Sequence, residues 1–202
     1  MHKTYSRVLI TALLLMVFSS YANATIEINW YEGDYTIPYQ VPHPGWDGAK
    51  LLNIYNDVTV TMPGGGGVGG QFNMYDNSSL ALHLGYIGEL NLYDNASAEL
   101  YGGMIDKLCI GCILTAKGDW IADPESTAQV TLYARDVVFW PRTPPPAGYS
   151  GVLQGYWLAN NEPFHIGLYG PDTYSRITIV PEPASITFIA LGGLALLRKR
   201  SR

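Results

Sequence analysis

A hexapeptide recurs along the middle of the chain: Leu52-Asn53-Ile54-Tyr55-Asn56-Asp57 returns as Phe72-Asn73-Met74-Tyr75-Asp76-Asn77 and as Leu90-Asn91-Leu92-Tyr93-Asp94-Asn95. A degenerate copy stands at Val130-Thr131-Leu132-Tyr133, and Leu108 opens a further copy. Starts at 52, 72, 90 and 108 are 20, 18 and 18 residues apart, the spacing of a solenoid. Within each copy apolar residues alternate with Asn and Tyr, so Leu52 and Ile54, Phe72 and Met74, and Leu90 and Leu92 are expected to point inward and the polar set outward. An Asp-Asn turn, a second alternating strand (Leu80-Leu82-Leu84 or Ala98-Leu100) and a glycine corner such as Gly102-Gly103 complete the unit. One such unit cannot bury its own apolar face, but stacked units bury each other's. The expectation is an all-β chain folded as a short parallel β-helix (β-solenoid). Short alternating strands with turn signals also describe a β-sandwich, which stays as the alternative.

The flanking segments depart from the repeat. Residues 25–50, with Trp30, Tyr31, Tyr35, Tyr39 and Trp46 among Pro and Gly, read as an N-terminal cap on the solenoid of residues 51–136. Residues 62–70, rich in glycine, read as a flexible corner. Residues 137–179 hold a proline-rich loop, Arg142 to Gly148, and closing strands from Val152 to Ile179.

Both ends carry targeting signals. Lys3 and Arg7, the apolar run Val8 to Phe18, and Ala22-Asn23-Ala24 form the three parts of a secretory signal peptide over residues 1–24, cut before Thr25. This implies the Sec translocon and a signal peptidase as partners. At the other end stand Val180-Pro181-Glu182-Pro183, an apolar stretch over 184–197, and the basic stop Arg198, Lys199, Arg200 and Arg202. The prolines keep the chain around Glu182 extended. The apolar stretch is short of the ~20 residues that span a bilayer, a deficit that snorkelling basic side chains and local thinning can cover. It is therefore read as a transmembrane helix with its basic end in the cytoplasm and the body on the other side.

This tail, residues 180–202, resembles the PEP-CTERM sorting signal of bacterial envelope proteins, also labelled the ice-binding protein C-terminal domain. The matching features are Val-Pro-Glu-Pro, Gly192-Gly193 in the helix centre and the Arg-rich end. The resemblance implies an inner-membrane-anchored precursor, recognised by an exosortase and then released or transferred to the cell surface. The repeats resemble the LNxYDNS coils of some PEP-CTERM proteins, which implies a surface or matrix protein and supplies no catalytic residues.

Without the targeting segments the body keeps six Lys and Arg against sixteen Asp and Glu. That balance argues against nucleic acid as a partner. Cys109-Ile110-Gly111-Cys112 has redox or metal spacing, but no second Cys pair or βαβ pattern accompanies it, so it reads as a candidate disulfide or as buried thiols. Asp57, Asp76 and Asp94 could build a calcium or glycosidase site, yet Asp and Asn at strand ends are ordinary turn residues. The N-x-S/T sequences at Asn77 and Asn95 share that turn position, and His43, His83 and His165 lie in unrelated segments. Tyr55, Tyr75, Tyr93 and Tyr133 form a candidate carbohydrate-stacking face. Thr59-Val60-Thr61 is the one short match to an ice-binding face.

The functional expectation is a secreted, exosortase-sorted structural or adhesive protein of the cell surface or extracellular matrix, not an enzyme. It carries no catalytic residue, metal or cofactor, and exopolysaccharide is its candidate partner. The alternatives are a small polysaccharide-degrading β-helix enzyme and an ice-binding solenoid.

Overall fold

The computed structural model describes residues 26–37, 49–115, 119–142 and 148–181. The signal-peptide residues Ala22 and Ala24, the sorting residues Glu182 and Pro183, the 184–197 stretch and the basic stop lie outside them. Among the described residues the regular structure is strand, apart from a short 3-10 turn, Tyr174–Arg176, and no helix is long and apolar enough to cross a membrane.

Two parallel ladders make up the repeats. One joins β1 (Ile26–Trp30), β3 (Ala49–Ile54), β5 (Gly67–Met74), β7 (Tyr86–Leu92) and β9 (Met104–Ile110). The other joins β2 (Asp34–Thr36), β4 (Thr59–Met62), β6 (Ser79–Leu82) and β8 (Ser97–Leu100). Equivalent residues lie side by side: Leu52 pairs with Phe72, Phe72 with Leu90, and Leu90 with Leu108. In the second ladder Val60 pairs with Leu80, and Leu80 with Ala98.

Alternation sends one apolar set from each ladder into a common core. Leu52, Ile54, Phe72, Met74, Leu90 and Leu92 meet Val60, Met62, Leu80, Leu82 and Leu100, all nearly inaccessible to water. Leu84, past the end of β6, is instead exposed. The links β3–β4, β5–β6 and β7–β8 turn on a left-handed residue, Asn56, Asp76 and Asp94 respectively, whose φ lies between 50° and 57°. Asn and Asp tolerate that region better than other residues with a Cβ.

The ladders join through the C-terminal strands. β12 (Gln129–Pro141) starts parallel to β8, then passes a bulge at Asp136 and pairs antiparallel with β13 (Tyr149–Trp157). β13 pairs antiparallel with β14 (Pro163–Tyr169), which lies parallel to β9. β15 (Ile177–Val180) lies on β12, and β10 (Cys112–Leu114) and β11 (Trp120–Ala122) form a separate hairpin. The main sheet is thus a single mixed sheet that curls around the core.

Four expectations need correction. Residues 26–37 do not depart from the repeat: they lie over its first unit by extending both ladders, with Ile28, Asn29 and Trp30 in register with Leu52, Asn53 and Ile54. The glycine-rich segment is partly strand: Gly67 to Met74 belong to β5, because its flanking Val68 and Phe72 pair with Ile87 and Leu90. Val130 to Tyr133 copies the second strand of the unit, with Val130 paired to Ala98 and Leu132 to Leu100. Finally, the outward asparagines are buried: Asn53, Asn73 and Asn91 are 4%, 7% and 1% exposed. Neighbouring columns flank them, and their amides form a ladder in which Asn91 Nδ2 donates to Asn73, Asn73 to Asn53 and Asn53 to Asn29, at 2.8–2.9 Å.

Candidate functional site

In-register parallel strands put like side chains one strand spacing apart, near 4.8 Å. Tyr31, Tyr55, Tyr75 and Tyr93 follow that spacing, with successive ring centroids 4.8 Å apart and planes within 11°. Rings stacked in this way cover one another's faces, so Tyr55 and Tyr75, each with a ring on both sides, have no open face to offer a ligand. Tyr31, at the end of the column and 55% exposed, is its most open member. Burial, with neighbouring tyrosines and acids, raises the Tyr55, Tyr75 and Tyr93 phenols above their ordinary pKa.

Tyr133 does not join this column. It stacks on Tyr101 at 4.2 Å, and Tyr101 stacks on His83 at 4.6 Å, in a separate column beside the second ladder. Hydrogen bonds to Tyr133 and Glu99 raise the Tyr101 phenol, whose hydroxyl lies 2.7 Å from Glu99 Oε2. Tyr31, missed in the sequence, takes the place expected for Tyr133.

The repeated acids brace turns. Asp76 Oδ2 accepts the Asn56 N–H at 2.9 Å, and Asp94 Oδ2 accepts that of Asp76 at 3.1 Å. Asp57 is equivalent to Asn77, whose amide donates to it at 3.0 Å. Among the described residues no three His, Cys, Asp or Glu side chains come together to hold a metal ion. The column of Thr61 runs Thr36, Thr61, Ala81, Glu99, Thr131 and Thr178, so Ala81 and Glu99 interrupt the regular threonine array of an ice-binding face.

Cys109 and Cys112 are joined as a disulfide across Gly111, whose left-handed φ of 60° makes the turn that brings their Cα atoms to 6.3 Å. Of the sorting residues, Val180 ends β15, paired with Tyr133, and Pro181 follows it, exposed.

A larger site arises where the antiparallel strands turn away from the ladders. A groove of about 890 Å³ runs between Leu84, Gly85 and Gly103 on one side and the outward faces of β12, β13 and β14 on the other. Alternation along β12 points Asp136, Val138 and Trp140 outward, and along β13 Gln154 and Tyr156. Trp140 is 59% exposed, Tyr156 41% and Met104 61%. Cross-strand pairing sets Gln154 opposite His165, with Gln154 Nε2 2.7 Å from His165 Nδ1.

Three carboxylates line the same groove, each beside a polar partner. Asp106 accepts from the Tyr86 hydroxyl at 2.5 Å, Asp136 pairs with Arg135 at 3.0 Å, and Glu162 accepts from Asn160 at 2.8 Å. The Tyr86 phenol is raised by its bond to Asp106. Asp106 and His165 also border an adjoining depression of about 510 Å³, lined by Lys107, Arg142, Tyr149 and Tyr169. The groove escaped the sequence reading because its residues share no period. The outward alternation of Val138 and Trp140 with Asp136 was the available signal.

Comparison of the chain with protein families, with curated proteins and with solved structures gives no match.

Proposed function

We propose that this chain is an exported, exosortase-sorted structural or adhesive protein of the cell surface or extracellular matrix, associated with exopolysaccharide, and that its body is a short β-solenoid. Support for the solenoid comes from the two parallel ladders, in register over successive repeats around one core. A sandwich has no need of such register. Stacked tyrosines and a continuous amide ladder suit a stiff body whose work is to be displayed.

The observation that carries the surface reading is the position of Val180. It is the last paired residue of the edge strand β15 and also the first residue of Val-Pro-Glu-Pro, so the tail leaves directly from the rim of the fold. A processing enzyme at the membrane then meets the motif with no intervening linker.

The test is the mass of the mature protein and its C-terminal peptide, from envelope and medium of the native host, with and without its exosortase. Enzyme-dependent loss of everything beyond the Pro181-Glu182-Pro183 region is the expected result. An intact basic tail retained in the inner membrane would overturn the sorting reading.

One observation favours a second reading, a polysaccharide-degrading enzyme: Asp106, Asp136, Glu162 and His165 line one groove. Release of reducing ends from polysaccharide, abolished by Glu162→Gln or Asp106→Asn, would establish it.

A further inference from the structure

The groove gathers apolar surface for which the fold has no internal use. Leu84, Met104, Val138, Trp140 and Tyr156 are all exposed, and all line this one depression. Exposed apolar surface concentrated in a concave site marks a place of binding.

The polar lining decides among occupants. An apolar protein surface laid into the groove would strip Asp106, Asp136 and Glu162 of water without supplying donors, which is costly. Nucleic acid and anionic polymers would meet three negative charges in a body that is already acidic. A chain of neutral sugars has what the groove can use on both counts. Its C–H faces suit the exposed ring of Trp140 and the partly exposed ring of Tyr156, which also carries the Arg135 guanidinium 5.3 Å from its centroid, and its hydroxyls are donors for the carboxylates. Each carboxylate keeps acceptor capacity beyond its present partner, because an ionised carboxylate offers about four lone-pair sites.

We infer that the groove binds an extended segment of neutral polysaccharide. Trp140 and Tyr156 serve as stacking platforms, and Asp106, Glu162 and Gln154 orient the sugar hydroxyls. The adjoining depression beyond Asp106 and His165 lets the sugar chain continue past the groove. The binding face is then the outer side of the closing strands and not the tyrosine column, whose rings cover each other. The inference rests on the exopolysaccharide association proposed above and is independent of the sorting tail.

The experiment is native affinity electrophoresis of the full chain, held in a detergent without a sugar headgroup. The gels contain a soluble β-glucan, an α-glucan, a galactomannan or, as the anionic probe, alginate. At least one neutral polymer should retard the protein. Trp140→Ala and Tyr156→Ala should each weaken that retardation about tenfold, Trp140→Phe should largely restore it, and Tyr31→Ala should leave it unchanged. Both alanine sites are exposed, and circular dichroism checks that the variants fold. Retardation by alginate alone, by no polymer, or equally for wild type and both alanine variants would overturn the inference. Sorting is read separately from the C-terminal mass, so failure of the groove and failure of surface display are distinguishable.

Discussion

The guanidinium of Arg176 occupies the space that a side chain at Gly111 would fill. A Cβ placed at 111 would lie 2.7 Å from the guanidinium carbon, and Gly111 already has a left-handed φ of 60°. In the repeat register this is the position after Tyr93, since the Gly111 N–H bonds to the Leu92 carbonyl. The tyrosine column therefore ends where Arg176 begins, and the guanidinium donates to the Ser126 and Asp123 carbonyls at 2.5 and 3.2 Å.

Gly111→Ala should lower stability by at least the ~1–2 kcal/mol that a Cβ costs in the left-handed region, with more from the displaced guanidinium. Arg176→Ala should cost about 1.5–3 kcal/mol through its charge-assisted bonds. The double variant should lose less than the sum, because removing the guanidinium relieves the clash. Urea unfolding of the four proteins measures this, and strict additivity would refute the contact.

The asparagine ladder makes a graded prediction. Asn73 both accepts from Asn91 and donates to Asn53, so Asn73→Ala leaves a buried Asn53 oxygen without its donor. The expected loss is about 2–3 kcal/mol. Asn29 sits at the exposed end and accepts from Asn53, which also donates to Glu27, so Asn29→Ala should cost about 1 kcal/mol or less. Equal losses at the two sites would show that the amides act as independent surface groups.

The repeat was legible because stacking demands like residues at like positions, and Leu52, Phe72, Leu90 and Leu108 obey that demand. Residues 28–30 obey it too, but 24 residues separate Ile28 from Leu52, and Trp30 replaces a small aliphatic, so the copy was hidden. Tyr133 was assigned to the wrong column because both ladders share the same alternation, and Val-Thr-Leu-Tyr does not reveal which strand it copies. Burial of Asn53, Asn73 and Asn91 could not be read from residue type, since each is polar and its partners are its own equivalents. The groove depends on β12, β13 and β14 bringing Asp106 near Trp140 and His165, a long-range pairing that leaves no periodic trace.

High pH should loosen the tyrosine column. The folded phenols of Tyr55, Tyr75 and Tyr93 have pKa values raised above the ordinary 10.0, chiefly by burial. Above pH 10 the unfolded chain loses these protons first, so the folded state binds more protons and stability falls as pH rises. The contribution is fully present below pH 10 and is lost as pH climbs through the folded values. Urea midpoints measured from pH 8 to 12 should drop from about pH 10 upward, and Tyr93→Phe should flatten the drop. A midpoint independent of pH over this range would contradict the partial burial of these phenols.

The disulfide should be sheltered but modest in effect. Cys109 and Cys112 are 3% and 1% exposed, beneath Gly170, where a Cβ would lie 2.5 Å from Cys112 Sγ. Their separation of three residues closes a small loop, for which chain entropy gives about 2 kcal/mol. Replacing both cysteines with alanine should therefore cost no more than about 2 kcal/mol. Gly170→Ala should cost more than left-handed strain alone, because its φ of 81° adds to the clash with sulfur. Thiol titration of the unreduced protein in denaturant decides the pairing: no free thiol is expected, and two would show that the cysteines are unpaired.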